Sequence, residues 1–227
     1  MLVRYLNILS PILLGISAVL IAYSIYLVFL VVPNEAIMGP VQRIFYFHVG
    51  SAIAAYCAIA VLLVCSLAYL ARREEAFDAI AEAAAEVALL MCTIVLVSGM
   101  IWANSAWNTW FRWEPRLVTF LLLWLLLLAY WGLRQFGDPA RVAAHCAVLG
   151  ILGAINVPIV VYSIKLLPHM VQLHPEVVER QGLKDPLFKT AMFWSMGAMV
   201  AFQMFLTVFR TRIGLLEREL LRRKSRL

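Results

Sequence analysis

Four of the chain's seven tryptophans fall within twelve residues. The run reads Gly99-Met-Ile-Trp102-Ala-Asn-Ser-Ala-Trp107-Asn-Thr-Trp110-Phe111-Arg112-Trp113-Glu114-Pro115-Arg116-Leu117. The rings of Trp102, Trp107, Trp110, Phe111 and Trp113 offer flat apolar faces that suit a planar hydrophobic ligand. Asn104, Asn108, Glu114 and Arg116 interleave with them. Arg116 or Arg112 could hold a ligand carboxylate through paired N–H donors, and Glu114 could orient Arg116 or meet a partner. Two plainer roles use the same residues. Tryptophans gather at membrane–water boundaries, and Arg112, Glu114 and Arg116 could form a solvated ion-pair cluster. A boundary belt, however, spreads its aromatics over all spans and both faces, whereas one segment concentrates them here.

The chain has four histidines. His48 lies in Gln42-Arg43-Ile44-Phe45-Tyr46-Phe47-His48-Val49-Gly50, and His169 and His174 lie in Leu166-Leu167-Pro168-His169-Met170-Val171-Gln172-Leu173-His174-Pro175. His145 opens a later apolar stretch and is read as structural. A lone histidine is more often a hydrogen-bonded structural residue than a ligand. Histidine is nonetheless a common axial ligand to haem iron. Two of them from separate segments, with aromatic faces between, would hold a haem. The cysteines Cys57, Cys65, Cys92 and Cys146 all sit in apolar runs without a CxxC pair. They read as buried apolar thiols, which argues against disulfide exchange. No Walker motif or GxGxxG occurs, so the chain does not itself hydrolyse ATP.

These residues must be carried by a very apolar scaffold. The 227 residues are 64% hydrophobic and 14% charged, with a net charge of +6 and a mean hydropathy of +0.88. Soluble domains are roughly half apolar and a quarter charged. The composition excludes an ordinary soluble enzyme, a disordered chain and a nucleic-acid-binding module. A membrane span needs about 20 apolar residues, and six segments qualify: 8–32, 44–71, 79–101, 117–133, 142–164 and 188–209. The expected fold is therefore all-α, a polytopic membrane protein with one membrane domain over 1–227, a bundle of six transmembrane helices. The first segment is too long for a signal-peptide core and reads as a retained span. The start of the third, from Asp78 to Glu86, is amphipathic and is expected partly in the interface.

Basic residues set the expected orientation. With six spans the termini share a side. That side holds Arg4, Arg72, Arg73, Arg134, Arg141 and seven more Lys and Arg from Arg210 to Arg226, twelve of the nineteen. The positive-inside rule puts both termini in the cytoplasm, with the basic tail at 210–227 facing anionic lipid. The Trp-rich segment, expected as a loop over 102–116, then faces outward with His48, His169 and His174.

The run from Trp102 to Leu117 resembles the WWD motif of the haem-handling proteins of cytochrome c maturation, close to W-G-x-x-x-W-G-T-W-W-x-W-D-x-R-L. Trp102, Trp107, Thr109, Trp110, Trp113, Arg116 and Leu117 match in register. Ala103 and Asn108 replace glycines, Phe111 a tryptophan and Glu114 the aspartate. The run from Gln42 to Val49 resembles the family's Q-R-I-F-Y-x-H segment, and Asn156-Val157-Pro158-Ile159-Val160-Val161-Tyr162-Ser163 its D/N-V-P-I-V-x-x-S segment. The resemblance covers roughly 35–205, the cytochrome c assembly domain, in the family's motif order. The short six-span form resembles the CcmC-type haem exporters. CcsA-type synthetase subunits and CcmF-type ligases carry the motif on longer chains.

The resemblance implies a haem-binding protein, not an enzyme, in the bacterial cytoplasmic (inner) membrane. It implies haem b at the outer, periplasmic face, against Trp102, Trp107, Trp110, Phe111, Trp113, Glu114 and Arg116. The implied axial ligands are His48 and one histidine of the last outward loop. His174, in Leu173-His174-Pro175, is favoured, with His169 the alternative across a short insertion around 168–171; Leu166 and Leu167 stand where the family has an aromatic pair. Ligation requires neutral imidazole, so binding should weaken below about pH 6. The implied partners are a CcmE-like periplasmic haem chaperone, a CcmD-like small membrane protein, a CcmA/CcmB ABC-type complex and membrane lipid, with no nucleic acid. Two alternatives stand beside this. One is a membrane transporter exporting haem or another apolar substrate. The near absence of charge in the spans, with Glu82 and Glu86 at one end, argues against a polar translocation path. The other is a CcsA-type haem-attachment synthetase subunit.

Overall fold

The computed structural model describes residues 2–167, 183 and 185–225. Six α-helices follow in order: α1 (Leu2–Tyr26), α2 (Arg43–Arg72), α3 (Glu75–Trp107), α4 (Pro115–Phe136), α5 (Val142–Leu166) and α6 (Pro186–Lys224). A π-helical turn at Leu27–Val31 extends α1, and a 3₁₀ turn at Pro40–Gln42 leads into α2. All six are long and apolar enough to cross a membrane. Among the described residues no strand forms, only one isolated bridge between Glu35 and Gly39.

The bundle packs through small side chains. In an apolar solvent, helices associate by close packing and interhelical hydrogen bonds rather than by hydrophobic exclusion. Ala54, Ala55 and Ala58 of α2 are fully buried in one core with Ala84, Ala88 and Met91 of α3. At Gly50 a Cβ would stand 3.0 Å from the Ser195 carbonyl oxygen, so α2 and α6 cross closely there. Along α1, the buried Ser10, Ser17 and Ser24 recur every seventh residue, the spacing that keeps one face toward a neighbour. That neighbour is α6, where the Ser24 and Ser195 hydroxyls are 2.6 Å apart. Polar ties hold α4: Trp124 Nε1 donates to Thr93 Oγ1 of α3 at 2.9 Å. Asn156 Nδ2 of α5 donates to the Thr119 carbonyl, also at 2.9 Å.

Three features of the structure bear on the sequence reading, the first of them as a correction. First, the Trp-rich run is not all loop. Ala103-Asn-Ser-Ala contains no helix breaker, and α3 runs on to Trp107, so Trp102 and Trp107 are helical. The helix stops at Asn108, which takes the left-handed conformation (φ 51°, ψ 37°) tolerated by Asn. Pro115, with its fixed φ and missing N–H, opens α4 at its first turn. The true loop is residues 108–114.

Second, the amphipathic start of α3 turns inward. Asp78 is 6% exposed. Its carboxylate meets Arg134 of α4 through both oxygens and Arg218 of α6 at 2.9 Å. Glu82 pairs with Arg218 at 2.6 Å and Glu86 with Arg210 at 2.5 Å. These acids face neighbouring helices because α4 and α6 bring arginines to them. Third, the basic tail continues the last helix. Helix α6 is continuous to Lys224, and Arg210, Arg218 and Arg222 are engaged by acids of α3. Of the three, Arg218 is the most enclosed and Arg222 stays largely exposed.

Candidate functional site

At the end of the bundle that carries the tryptophans, all helices but α1 contribute to a cavity of about 420 Å³. Small-molecule sites fall at roughly 300–1,000 Å³ and are mainly apolar with a few placed polar groups. Phe45, His48, Ala52 and Tyr56 recur at helical spacing and give α2 one face of the cavity. Helix α3 supplies Gly99, Trp102 and Trp107, and α4 supplies Arg116 and Phe120. Val160 and Val161 near the end of α5, and Met192 and Phe193 near the start of α6, close the remaining sides.

The aromatic walls are braced against one another. Trp102 and Trp107 meet edge to face, with centroids 4.8 Å apart and planes at 79°. Phe111 and Trp113 do the same at 5.3 Å and 78°. Such contacts fix ring orientation and contribute about 0.5–1.5 kcal/mol each beyond area burial. In the loop, Thr109 Oγ1 donates to the Phe111 carbonyl at 3.3 Å. Trp110 is 57% exposed yet lines the cavity, so it forms the rim. Arg116 also reaches the wall, and its guanidinium donates to the Val161 carbonyl at 3.0 Å. This bond ties the start of α4 to the end of α5.

His48 projects from α2 onto α3. Its Nδ1 lies 3.0 Å from Ser98 Oγ. A Cβ on Gly99 would come within 3.0 Å of the imidazole Cε1, so the absent side chain provides the space the ring occupies. Among the described residues the cavity wall thus carries one imidazole amid aromatic and aliphatic side chains, and Arg116 brings a cation to it. That combination suits a flat apolar molecule that carries a metal centre and an acidic edge.

The structure brings six of the sequence candidates together: His48, Trp102, Trp107, Trp110, Phe111 and Arg116. Two stand elsewhere. Trp113 is 77% exposed, is absent from the cavity lining among the described residues, and meets Phe111 edge to face. Glu114 is 4% exposed beneath the loop, and its carboxylate pairs with Arg112 at 3.3 Å. His169 and His174 lie outside the described residues. Sequence reasoning missed Ser98, Gly99 and Tyr56. Ser98-Gly99, two small residues one helical turn before Trp102, was the available signal, but only the register of α3 against α2 shows which side chain they face.

The profile of the family CcmC, Heme exporter protein C, matches residues 1–226. The chain belongs to the heme exporter protein C family. It is 30% identical over 219 residues to "Heme exporter protein C" of Bradyrhizobium diazoefficiens, covering 95% of this chain and 80% of that one. It is 28% identical over 181 residues to the Escherichia coli K12 protein of the same name, covering 79% of this chain and 73% of that one. The match to the Rhodobacter capsulatus protein is 34% over 128 residues, 56% of this chain and about half, 53%, of its relative. With its six long apolar helices, the chain is a multi-pass membrane protein of this CcmC-type family.

Proposed function

We propose that this chain receives haem at the outer face of the bacterial cytoplasmic membrane and presents it for transfer during cytochrome c maturation. One observation carries the reading: the imidazole of His48 stands on the wall of an apolar cavity built from Trp102, Trp107, Trp110 and Phe111. Porphyrin fits that chemistry. Its faces need apolar area, its iron an imidazole, and its propionates a cation, which Arg116 on the cavity wall would supply. At about 25 cal/mol per Å², an aromatic ring covering on the order of 100 Å² of porphyrin contributes a few kcal/mol. Haem here is cargo, so binding must be strong enough to capture and weak enough to release.

The second axial ligand is proposed to be His174, with His169 as the alternative. The chain between α5 and α6 carries both, and the flanking Val161 and Met192 are on the cavity wall. The haem is proposed to be b-type. Its recipient is a CcmE-like periplasmic chaperone, in an assembly with a CcmD-like small protein and a CcmA/CcmB complex. The protein performs no bond chemistry of its own. Reception at one face is favoured over passage through the bundle. The cavity is lined at the aromatic end, while the opposite end of α3 carries the ion pairs of Asp78, Glu82 and Glu86 with arginines of α4 and α6.

Two experiments test this reading. Replacing Trp110 and Trp113 together with alanine should lower haem per purified protein at unchanged expression, because both rings are exposed and support little of the fold. Unchanged haem content would remove these rings from the platform. The proposed orientation, with both termini cytoplasmic, rests on the twelve-to-seven basic asymmetry. A cysteine introduced at Leu220 should resist an impermeant thiol reagent on spheroplasts and react after lysis. Labelling before lysis would reverse the orientation.

A further inference from the structure

We propose that Ser98 is a positioning residue that holds His48 in the tautomer with its proton on Nδ1, leaving the Nε2 lone pair for iron. This deepens the reading of His48 as a haem ligand and rests on it. A serine hydroxyl has one proton to donate and lone pairs to accept with. In α3 that proton is committed: Ser98 Oγ lies 2.6 Å from the Ile94 carbonyl one turn back, with the Val95 carbonyl at 3.3 Å. Serine makes such bonds to the preceding turn readily. The 3.0 Å contact between Oγ and His48 Nδ1 is then completed with Nδ1 as donor. In a neutral imidazole one ring nitrogen carries the proton and the other the lone pair, so Nε2 is the bare nitrogen.

The alternative would turn the Ser98 proton toward Nδ1. It would exchange the shorter bond for the longer one and put the ring proton on Nε2, where it blocks ligation. Gly99 completes the device, because its bare Cα lets the ring approach α3 closely enough for the Ser98 bond. Histidines that bind metal generally have the second nitrogen fixed in this way, and the partner tunes ligand basicity. A neutral hydroxyl withdraws the Nδ1 proton less than a carboxylate would. His48 is thereby oriented as a ligand without being driven toward imidazolate, which suits a site that must give its cargo up.

The test uses the full chain in detergent, with Ser98→Ala, Ser98→Thr and His48→Ala variants. In haem-free protein labelled with ¹⁵N-histidine, the His48 signals, assigned by their loss in His48→Ala, should report a protonated Nδ1. Ser98→Ala should move the population toward protonated Nε2, and Ser98→Thr, which keeps the hydroxyl, should restore it. Haem titration should show Ser98→Ala binding about 10–100-fold more weakly, the usual effect of losing such a partner, with Ser98→Thr near wild type. A protonated Nε2 in the wild-type protein overturns the proposal, even if the alanine variant fails to fold. So does a Ser98→Ala protein that matches Ser98→Thr in both measurements. The ligand reading fails separately, if His48→Ala leaves haem affinity and spectrum unchanged.

Discussion

Replacing His48 with glycine or alanine is expected to abolish six-coordinate haem binding. The substitution removes the one imidazole that the described cavity wall carries, while the aromatic faces proposed to hold the porphyrin plane remain. Haem should therefore be retained weakly, with a five-coordinate spectrum, and the loss should exceed the 10–100-fold expected for removing a residue that merely supports a ligand. Glycine leaves a void of roughly imidazole shape beside Gly99, so added imidazole should restore the six-coordinate signal. The same titration on His174→Ala and His169→Ala identifies the opposite ligand: His174→Ala should lose the low-spin spectrum and His169→Ala should keep it. The reverse result would assign that role to His169 and shift the alignment across 168–171. A wild-type spectrum from His48→Ala would remove the cavity from haem ligation altogether.

Replacing Asp78 with alanine should have the largest effect on stability, and at the other end of the molecule. The side chains of Asp78 and Arg134 are each 8% exposed, and Arg218 shares the carboxylate. Removing the acid strands Arg134 in a low-dielectric site, where its Nε is already buried without a hydrogen-bond partner. Breaking a buried pair from one side costs about 3–5 kcal/mol. Asp78→Asn keeps the shape but not the charge and should lose most of the same stability. Thermal denaturation in detergent reads the loss. Folded protein that survives should bind haem normally, because Asp78 lines no part of the cavity. A melting temperature equal to wild type would mean that the cluster contributes no net stability.

The six spans were legible in the sequence because hydropathy over about 20 residues is a one-dimensional property. Their ends were less so. Helix α3 was cut short at Ile101 because crowded tryptophans look like a loop at a membrane surface, yet nothing before Asn108 stops the helix. The partners of its acidic start were invisible for a different reason. Asp78 meets Arg134 at a separation of 56 residues, Glu86 meets Arg210 at 124, and Glu82 meets Arg218 at 136. Such pairing depends on how three helices rotate about their own axes, which hydropathy does not encode.

The site divides in the same way. Residue type pointed to the histidines, the aromatic rings and Arg116 or Arg112 alike, and of these the fold gathers His48, Trp102, Trp107, Trp110, Phe111 and Arg116 at one cavity. Trp113 and Glu114 belong to the same motif, but the turn of residues 108–114 sends one outward and the other beneath the loop. Ser98 and Gly99 carry no chemical signature of their own. They acquire a role only through the facing ring of His48.

The absorption spectrum of the purified chain titrated with haem tests the central claim most directly. The account predicts a Soret band of six-coordinate, low-spin haem that saturates at one haem per chain and is lost in His48→Ala. A spectrum that stays that of free haem at every ratio would contradict it.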